Sequence, residues 1–335
     1  MKTKILQMLR QQGEGTYRSG QELCRQLGVS RTAVWKYIKQ LKEEGYVIEA
    51  VQNKGYCLLS APDILSKSEV ESVLPTRWVG HPVYYYDEID STNTQAKRLG
   101  EEMEGKEGHG AVVIADKQSD GRGRRGRGWE SPHGKGVFFT ILLKPEVEPS
   151  NASMLTLVMA LAAAKGIEKA SGLKTAVKWP NDIVIHGKKV VGILTEMSAQ
   201  IDYVNYIVIG TGINVHYREF PEELAHKATS LDLELERQGL EPMVSRAALL
   251  GAVLEAFEHY YGVFMETQDF SMLAEEYNAC LINCGRKVRV LDPLGEYEGK
   301  ALGIESRGQL MVERGKEVVA VSSGEVSVRG IYGYV

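Results

Sequence analysis

The stretch Gly121-Arg-Gly-Arg-Arg-Gly-Arg-Gly-Trp129 concentrates residues able to do chemistry. Arg122, Arg124, Arg125 and Arg127 alternate with glycines, and an indole closes the run. Guanidinium forks match the oxygens of carboxylates and phosphates. Glycine lets a backbone approach a ligand, and Trp129 offers a flat apolar face on which a base can stack. The bland alternative is a solvated arginine–glycine tail that binds RNA loosely. The flanks oppose it: 111–115 and 137–143 are apolar runs that read as buried strands, so the stretch is a loop pinned at both ends. Gly121-x-Gly123-x-x-Gly126 also has the spacing of a dinucleotide-binding turn, but that turn opens a helix. Gly128, Pro132, Gly134 and Gly136 leave no room for one. Anions at this loop are to be held by arginine side chains and loop amides.

The elements that must position the loop follow from periodicity. A strand at Tyr84-Tyr-Tyr86 leads into Asp87–Asn93, where Ser91 or Thr92 caps a helix running to Met103. Helices are expected at 153–170, 245–265 and 269–279. The region 175–215 is dense in strands and is interrupted by a turn or bulge at Lys178-Trp-Pro-Asn-Asp182, because Pro180 cannot donate to a ladder. His186-Gly-Lys188 reads as a hairpin turn. Lys189 opens an apolar strand, so its stem is buried and its ammonium is aimed at something specific. The strand 207–215 is expected to end in a glycine turn. His186 and His216 lack ligand-spaced partners and read as structural or exposed. Residues 283–330 alternate in short strands separated by turns at Pro293, Gly295, Arg307-Gly308 and Gly315, which reads as a small β-barrel.

The N-terminal stretch is different. Residues 1–60 hold ten Lys/Arg against five Asp/Glu, a net of +5, so the remainder carries −9 of the overall −4. A basic module on an acidic body points the first part at a polyanion. Ile5, Leu6 and Leu9 mark one helix; Ser19-x-x-Glu22 caps a second; Gly28-Val-Ser30 turns into a third with Val34, Ile38 and Leu41 inward. Arg31, Thr32, Lys36 and Lys39 are left outside as DNA-facing candidates. Residues 46–58 alternate about Asn53-Lys-Gly55 and read as a wing hairpin. Ala61–Ser66 is a linker or the start of a connecting helix.

The length of 335 residues fits two or three domains, and 43% hydrophobic with 25% charged residues is ordinary for a globular chain. No apolar run is read as membrane-spanning, and the N-terminus lacks the apolar core of a signal peptide. Cys24, Cys57, Cys280 and Cys284 form no CxxC pair, so neither zinc nor a disulfide framework is expected, and the compartment expected is the reducing cytoplasm.

Asp90-Ser-Thr-Asn93, Gln118-x-x-Gly-Arg-Gly-Arg-Arg-Gly-Arg-x-Trp129, Lys178-Trp-Pro-Asn-Asp182, Lys189-x-x-Gly-Ile-Leu194 and Gly210-x-Gly-Ile-Asn214 stand in one order along the chain. In this the sequence resembles the biotin protein ligases, in their bifunctional form that also represses a biotin operon. The resemblance implies an α+β chain. It comprises a winged helix-turn-helix over 1–62, a mixed-sheet α/β ligase domain of the biotin/lipoate type over 63–282, and an SH3-like β-barrel over 283–335. It implies ATP and biotin as substrates, with Mg²⁺ carried by ATP and no protein metal site. In the implied reaction biotin's carboxylate attacks the α-phosphate, pyrophosphate leaves, and a lysine of a biotin carboxyl carrier protein attacks the biotinyl-adenylate. Catalytic roles then fall to Lys189, Arg124, Arg127 and Asp182, with Lys189 where carboxylate meets phosphate and Asp182 orienting or deprotonating the incoming lysine. Biotin falls to Ser91, Thr92, Asn93, Gln118, Arg122, Gly123, Arg124 and Lys189. The nucleotide falls to Arg124, Arg127, Trp129, Asn181 and Asn214. Gly128, where a relative can carry lysine, loosens the loop without removing a role. Implied partners are the carrier protein, operator DNA and a second copy when biotinyl-adenylate is bound, with no membrane. A lipoate-type ligase and a biotin sensor without catalysis are the competing readings.

Overall fold

The computed structural model describes every residue except 12, 14, 243, 293, 294, 324–326 and 331–335. Helices Lys2–Arg10 (α1), Gly20–Leu27 (α2) and Arg31–Glu43 (α3) precede a hairpin of Val47–Val51 (β1) and Gly55–Ser60 (β2). Local chemistry sets these boundaries. Ser19 Oγ accepts from the Glu22 amide and Ser30 Oγ from the Ala33 amide, so each hydroxyl satisfies an orphan donor of its helix. Gly28, at φ +67°, ends α2 in the left-handed region. Ile5, Leu6, Leu9, Leu23, Val34, Ile38 and Leu41 form a separate core.

This module is not tethered by a loose linker. Ser66 caps a further helix, Lys67–Val73 (α4), which packs against α1. The buried Glu69 carboxylate accepts from Arg10 at 2.7 Å and from the Tyr46 hydroxyl at 2.6 Å, which satisfies a charge that would otherwise be costly to bury. Asp63, on the linker, accepts from the Arg246 guanidinium at 2.7 Å and lies 3.0 Å from the His216 ring. Burial favours its protonation, but the bonds from His216 and Arg246 outweigh this and hold the carboxyl at about 2.

The body is one seven-stranded sheet. Its strands are Val83–Ile89 (β3), Val112–Gln118 (β4), Gly136–Leu143 (β5), Ala176–Lys178 (β6), Asp182–Ile185 (β7), Lys188–Ala199 (β8) and Val204–Asn214 (β9). Their order is β3-β4-β5-β9-β8-β7-β6, with β3 and β4 parallel and the other neighbours antiparallel. Thr92–Glu102 (α5) covers one face. After the short Pro149–Ala152 (α6), Leu155–Ser171 (α7) covers the other. Glu222–Ala225 (α8) and Leu231–Arg237 (α9) follow β9, and Arg246–Thr267 (α10) packs along α7.

Several expectations are corrected. The span Pro149–Ser171 is long and apolar enough to cross a membrane, with mean hydropathy 1.3, where no such run was expected; 72% of that window is buried inside the fold, as in a core helix. The last helix is Ala274–Cys280 (α11), shorter than 269–279, because Asp269 instead accepts from the Ser271 amide in a turn. The C-terminal strands Lys287–Leu291 (β10), Tyr297–Ile304 (β11), Leu310–Arg314 (β12), Glu317–Val321 (β13) and Ser327–Gly330 (β14) form a five-stranded antiparallel sheet. In the order β13-β12-β11-β10-β14 they are the short, turn-separated strands of the small C-terminal β domain expected there, and that expectation stands. The turn expected at Pro293 lies outside the described residues.

Candidate active site

Alternation along β9 sends Ile207, Ile209 and Ile213 into the core beneath α7, and Gly210 and Gly212 to the α5 face. Register sets Gly192 of β8 opposite Gly212, so three glycines leave that face of the sheet bare. The Trp129 indole lies in the gap. A Cβ on Gly192 would come within 2.7 Å of its ring, and one on Gly212 would overlap the indole nitrogen. A Cβ on Gly210 would overlap the Asn93 side-chain oxygen. The glycine turn expected at 210–212 is therefore wrong: β9 runs straight through, and glycine is required because side chains approach the strand closely from above.

Polar groups wall this floor. The Thr92 amide and hydroxyl donate to Gln118 Oε1 at 2.9 and 3.1 Å, and Gln118 Nε2 donates to Ser131 Oγ at 2.8 Å. The Thr140 hydroxyl lies 2.8 Å from Thr92 Oγ1 and 2.7 Å from Asn93 Oδ1. Asn93 Nδ2 donates to the Leu194 carbonyl and to Glu196, so its amide is committed to the protein. Ser91 stands at the N-cap of α5 but makes no capping bond with its side chain, and it lines the pocket.

The arginine loop is a narrow hairpin. Gly123 N–H donates to the Arg127 carbonyl at 2.7 Å and Trp129 N–H to the Gly121 carbonyl at 2.8 Å, with a single 3₁₀ turn at Arg124–Gly126. Arg122 points to Asp120 on the rim. Arg124 turns inward: it donates to Asn181 Oδ1 at 2.9 Å and to the Ser323 carbonyl at 2.7 Å. Burial lowers the pKa of this guanidinium.

Lys189 forms the neck of the pocket. Its ammonium lies 2.6 Å from Asp182 and 5.2 Å from the centre of the Trp129 ring, a cation–π contact. Beyond it opens a second cavity of about 430 Å³, walled by Arg124, Arg127, Lys178, Asn181, Asp182 and Arg329. Its Lys178-to-Asp182 wall is the turn between β6 and β7. That turn is anchored to distant segments: the Trp179 amide donates to Asn283, and its indole to the Gly308 carbonyl at 3.1 Å.

The sequence-predicted residues thus fall into groups. Ser91, Thr92, Asn93, Gln118, Arg122, Gly123, Arg124, Trp129, Asn181 and Lys189 share the first pocket, and Arg127 and Asp182 join Arg124 and Asn181 at the second. Asn214 lines neither; its side chain donates to the Thr229 carbonyl, and the segment carrying Thr229 also pairs with Lys189. Arg31, Thr32, Lys36 and Lys39 are exposed together on α3, far along the chain from these groups. Sequence reasoning missed Lys178 and Arg329 as cavity walls, and Thr140, Gly192 and Gly210 as pocket shape. Lys178, Gly192 and Gly210 carried a signal, since each stands within one of the motifs quoted above, whereas Arg329 and Thr140 show no local sign.

The first pocket has room for about 50 Å³, three or four waters at most. The Trp129 indole fills the rest, with its N–H buried and without a partner. The two cavities adjoin through Arg124 and Asn181, which line both, so a small acid and an anion bound one in each would be brought together among cations.

The family model for the Biotin/lipoate A/B protein ligase family matches residues 85–214, that for an HTH domain residues 2–57, and that for the biotin protein ligase C-terminal domain residues 284–329. The chain is 38% identical over 330 residues to the bifunctional ligase/repressor BirA of Bacillus subtilis (strain 168), covering 98% of each. It is 31% identical to the protein of that name in Escherichia coli (strain K12), again over 98% of each. Its structure resembles the Aquifex aeolicus biotin protein ligase in complex with biotin and ATP, with TM-score 0.62 and 30% identity over 74% of this chain and 98% of that one. The chain belongs to the bifunctional ligase/repressor family of biotin protein ligases.

Proposed function

We propose that this protein condenses biotin with ATP to biotinyl-adenylate, transfers biotin to a lysine of a biotin carboxyl carrier protein, and represses biotin genes when the adenylate is not consumed. The observation that carries the reading is that the two cavities share Arg124 and Asn181 in their walls, with Lys189 of the first paired to Asp182 of the second. A carboxylate attacking a phosphate brings two anions together, so cations must stand between them. Arg124 lines both cavities, and Lys189, in the wall of the first, lies 2.6 Å from Asp182 in the wall of the second. Thr92, Gln118 and Ser91 offer donors and acceptors to a ureido ring over the glycine floor. Trp129, displaced from that floor, is free to cover adenine. Asn181 holds Arg124 toward the phosphates. Asp182, paired with Lys189, is placed to orient the incoming amine. Mg²⁺, brought in with ATP, would supply the charge neutralisation at the departing pyrophosphate.

The repressor half rests on α3, whose exposed face carries Arg31, Thr32, Lys36 and Lys39 within a module of net charge +5. One such module reads few base pairs, so operator binding calls for a second copy, paired when biotinyl-adenylate orders the arginine loop. The compartment is the cytoplasm. The test is direct: incubate the chain with ATP, Mg²⁺, biotin and a carrier domain, and weigh the carrier. A mass increase of one biotinyl group supports the reading. Transfer of lipoate in place of biotin, or an unmodified carrier, overturns it. Sedimentation with and without biotin plus ATP tests the pairing, and an unchanged dimerisation constant would leave a constitutive dimer.

A further inference from the structure

Helix α3 buries Val34, Ile38 and Leu41. Beside that buried stripe the exposed positions of the helix are Arg31, Thr32, Trp35, Lys36 and Lys39. Trp35 lies four residues from both Arg31 and Lys39 and three from Thr32, so it is their direct neighbour on the helix surface. Its side chain is 57% exposed, and the Lys39 ammonium stands 5.8 Å from its ring.

Nothing in the fold asks for an indole here. Tryptophan is a middling helix former, and the module's core is closed beneath it by Leu23, Val34 and Ile38. The surroundings are cationic: α3 has no acidic residue before Glu43, and the groove between α3 and the wing is lined by Arg31, Val34, Lys54 and Gly55. A large apolar ring inside a basic stripe is matched by a surface that is polyanionic yet holds an apolar spot. The major groove of DNA has one such group, the C5 methyl of thymine. The fifth residue of α3 also lies in the N-terminal half of the helix, the part that reaches base edges in this class of module.

We propose that Trp35 reads a thymine in each half-site through its C5 methyl, with Arg31 and Lys39 holding the flanking phosphates. The inference rests on the repressor reading and adds a specificity-determining residue to it. The experiment uses the full chain with biotin, ATP and Mg²⁺ to select bound duplexes from a randomised pool. Each thymine of the selected duplex is then replaced singly by deoxyuridine, which removes only the methyl. Wild type should lose about 3–10-fold in affinity at one thymine per half-site, the scale of withdrawing one buried methyl. Trp35→Ala should bind more weakly and be indifferent to uracil there, while Trp35→Phe keeps a reduced penalty. Both variants should make biotinyl-adenylate at the wild-type rate and keep the wild-type far-ultraviolet circular dichroism and thermal melt, which together verify the ligase body and the separately cored N-terminal module. A uracil penalty of wild-type size in both variants, or no penalty at any thymine in wild type, overturns the proposal alone. A wild-type chain that retains no duplex overturns the repressor reading and takes this proposal with it.

Discussion

The two faces of the central sheet are built from the same strands and do opposite things. Toward α7, Phe139, Ile141, Ile209 and Ile213 are fully buried and leave no space. Toward α5, one residue along in each strand, Gly192, Gly210 and Gly212 withhold side chains, and the space is taken by Trp129 and Asn93. Period-two alternation lets one strand serve both purposes. The cost differs by face. Glycine weakens a strand interior, and the packed face offsets that by burying isoleucines at the intervening positions. Stability therefore resides on one face and ligand space on the other. The occupant of that space comes from a hairpin loop rather than from β9 itself.

This division can be broken from either side. The largest effect in free energy is expected on the packed face. Ile209→Ala should lower unfolding free energy by about 2–5 kcal/mol, the range for emptying a buried aliphatic site, while kcat/KM per folded molecule stays within about twofold because the glycine face is untouched. Denaturant titration alongside adenylate synthesis measures both, and a proportional loss of activity would mean the faces are not separable. At the neck, Lys189→Ala should slow pyrophosphate release by about 10²–10³-fold, the scale for removing one stabiliser of developing charge. The chain should fold normally, since the side chain is only partly buried. Pyrophosphate release at the wild-type rate would remove Lys189 from the junction. On the floor, Gly212→Val inserts carbons where the indole lies. Overpacking costs about 1–3 kcal/mol, so kcat/KM for biotin should fall by about 5–150-fold. Unchanged kcat/KM for biotin would show that the acid does not use this floor.

The same contrast explains what was legible in the sequence. The packed face is written as apolar alternation, and Ser19 and Ser30 announce their helices because a cap joins residues three apart. The arginine loop was readable from composition alone. The floor was misread because a glycine pair in a strand carries the same letters as a turn; what distinguishes it is a ring arriving from Trp129, some eighty residues away. Arg124 meets Ser323, and Glu69 meets Arg10, across spans no local pattern encodes. The second cavity was invisible for that reason. Its walls come from the loop, from a turn anchored by Asn283 and Gly308, and from Arg329.

That second cavity yields the smallest expected effect and the sharpest view of where phosphate sits. Lys178 is nearly buried, and burial pushes its ammonium down to about 8, with Asp182 opposing the shift and Lys189, Arg329 and Arg127 adding to it. An unfolded lysine titrates near ~10.4. Between these values the unfolded chain binds more protons than the folded one, so this group makes folding stability rise with pH across that window. For nucleotide the sign reverses. Only the protonated ammonium attracts a triphosphate, so ATP binding weakens as pH rises through about 8, and binding there takes up a proton. The KM for ATP should climb by up to about tenfold between pH 7 and 9, following the protonated fraction. The KM for biotin should stay flat, because Lys178 does not line the first pocket. Lys178→Met keeps the apolar stem and removes the charge, so its KM for ATP should start high and lose this pH dependence. If the variant retained the wild-type pH profile, the titrating group would lie elsewhere and the phosphates would not pass Lys178.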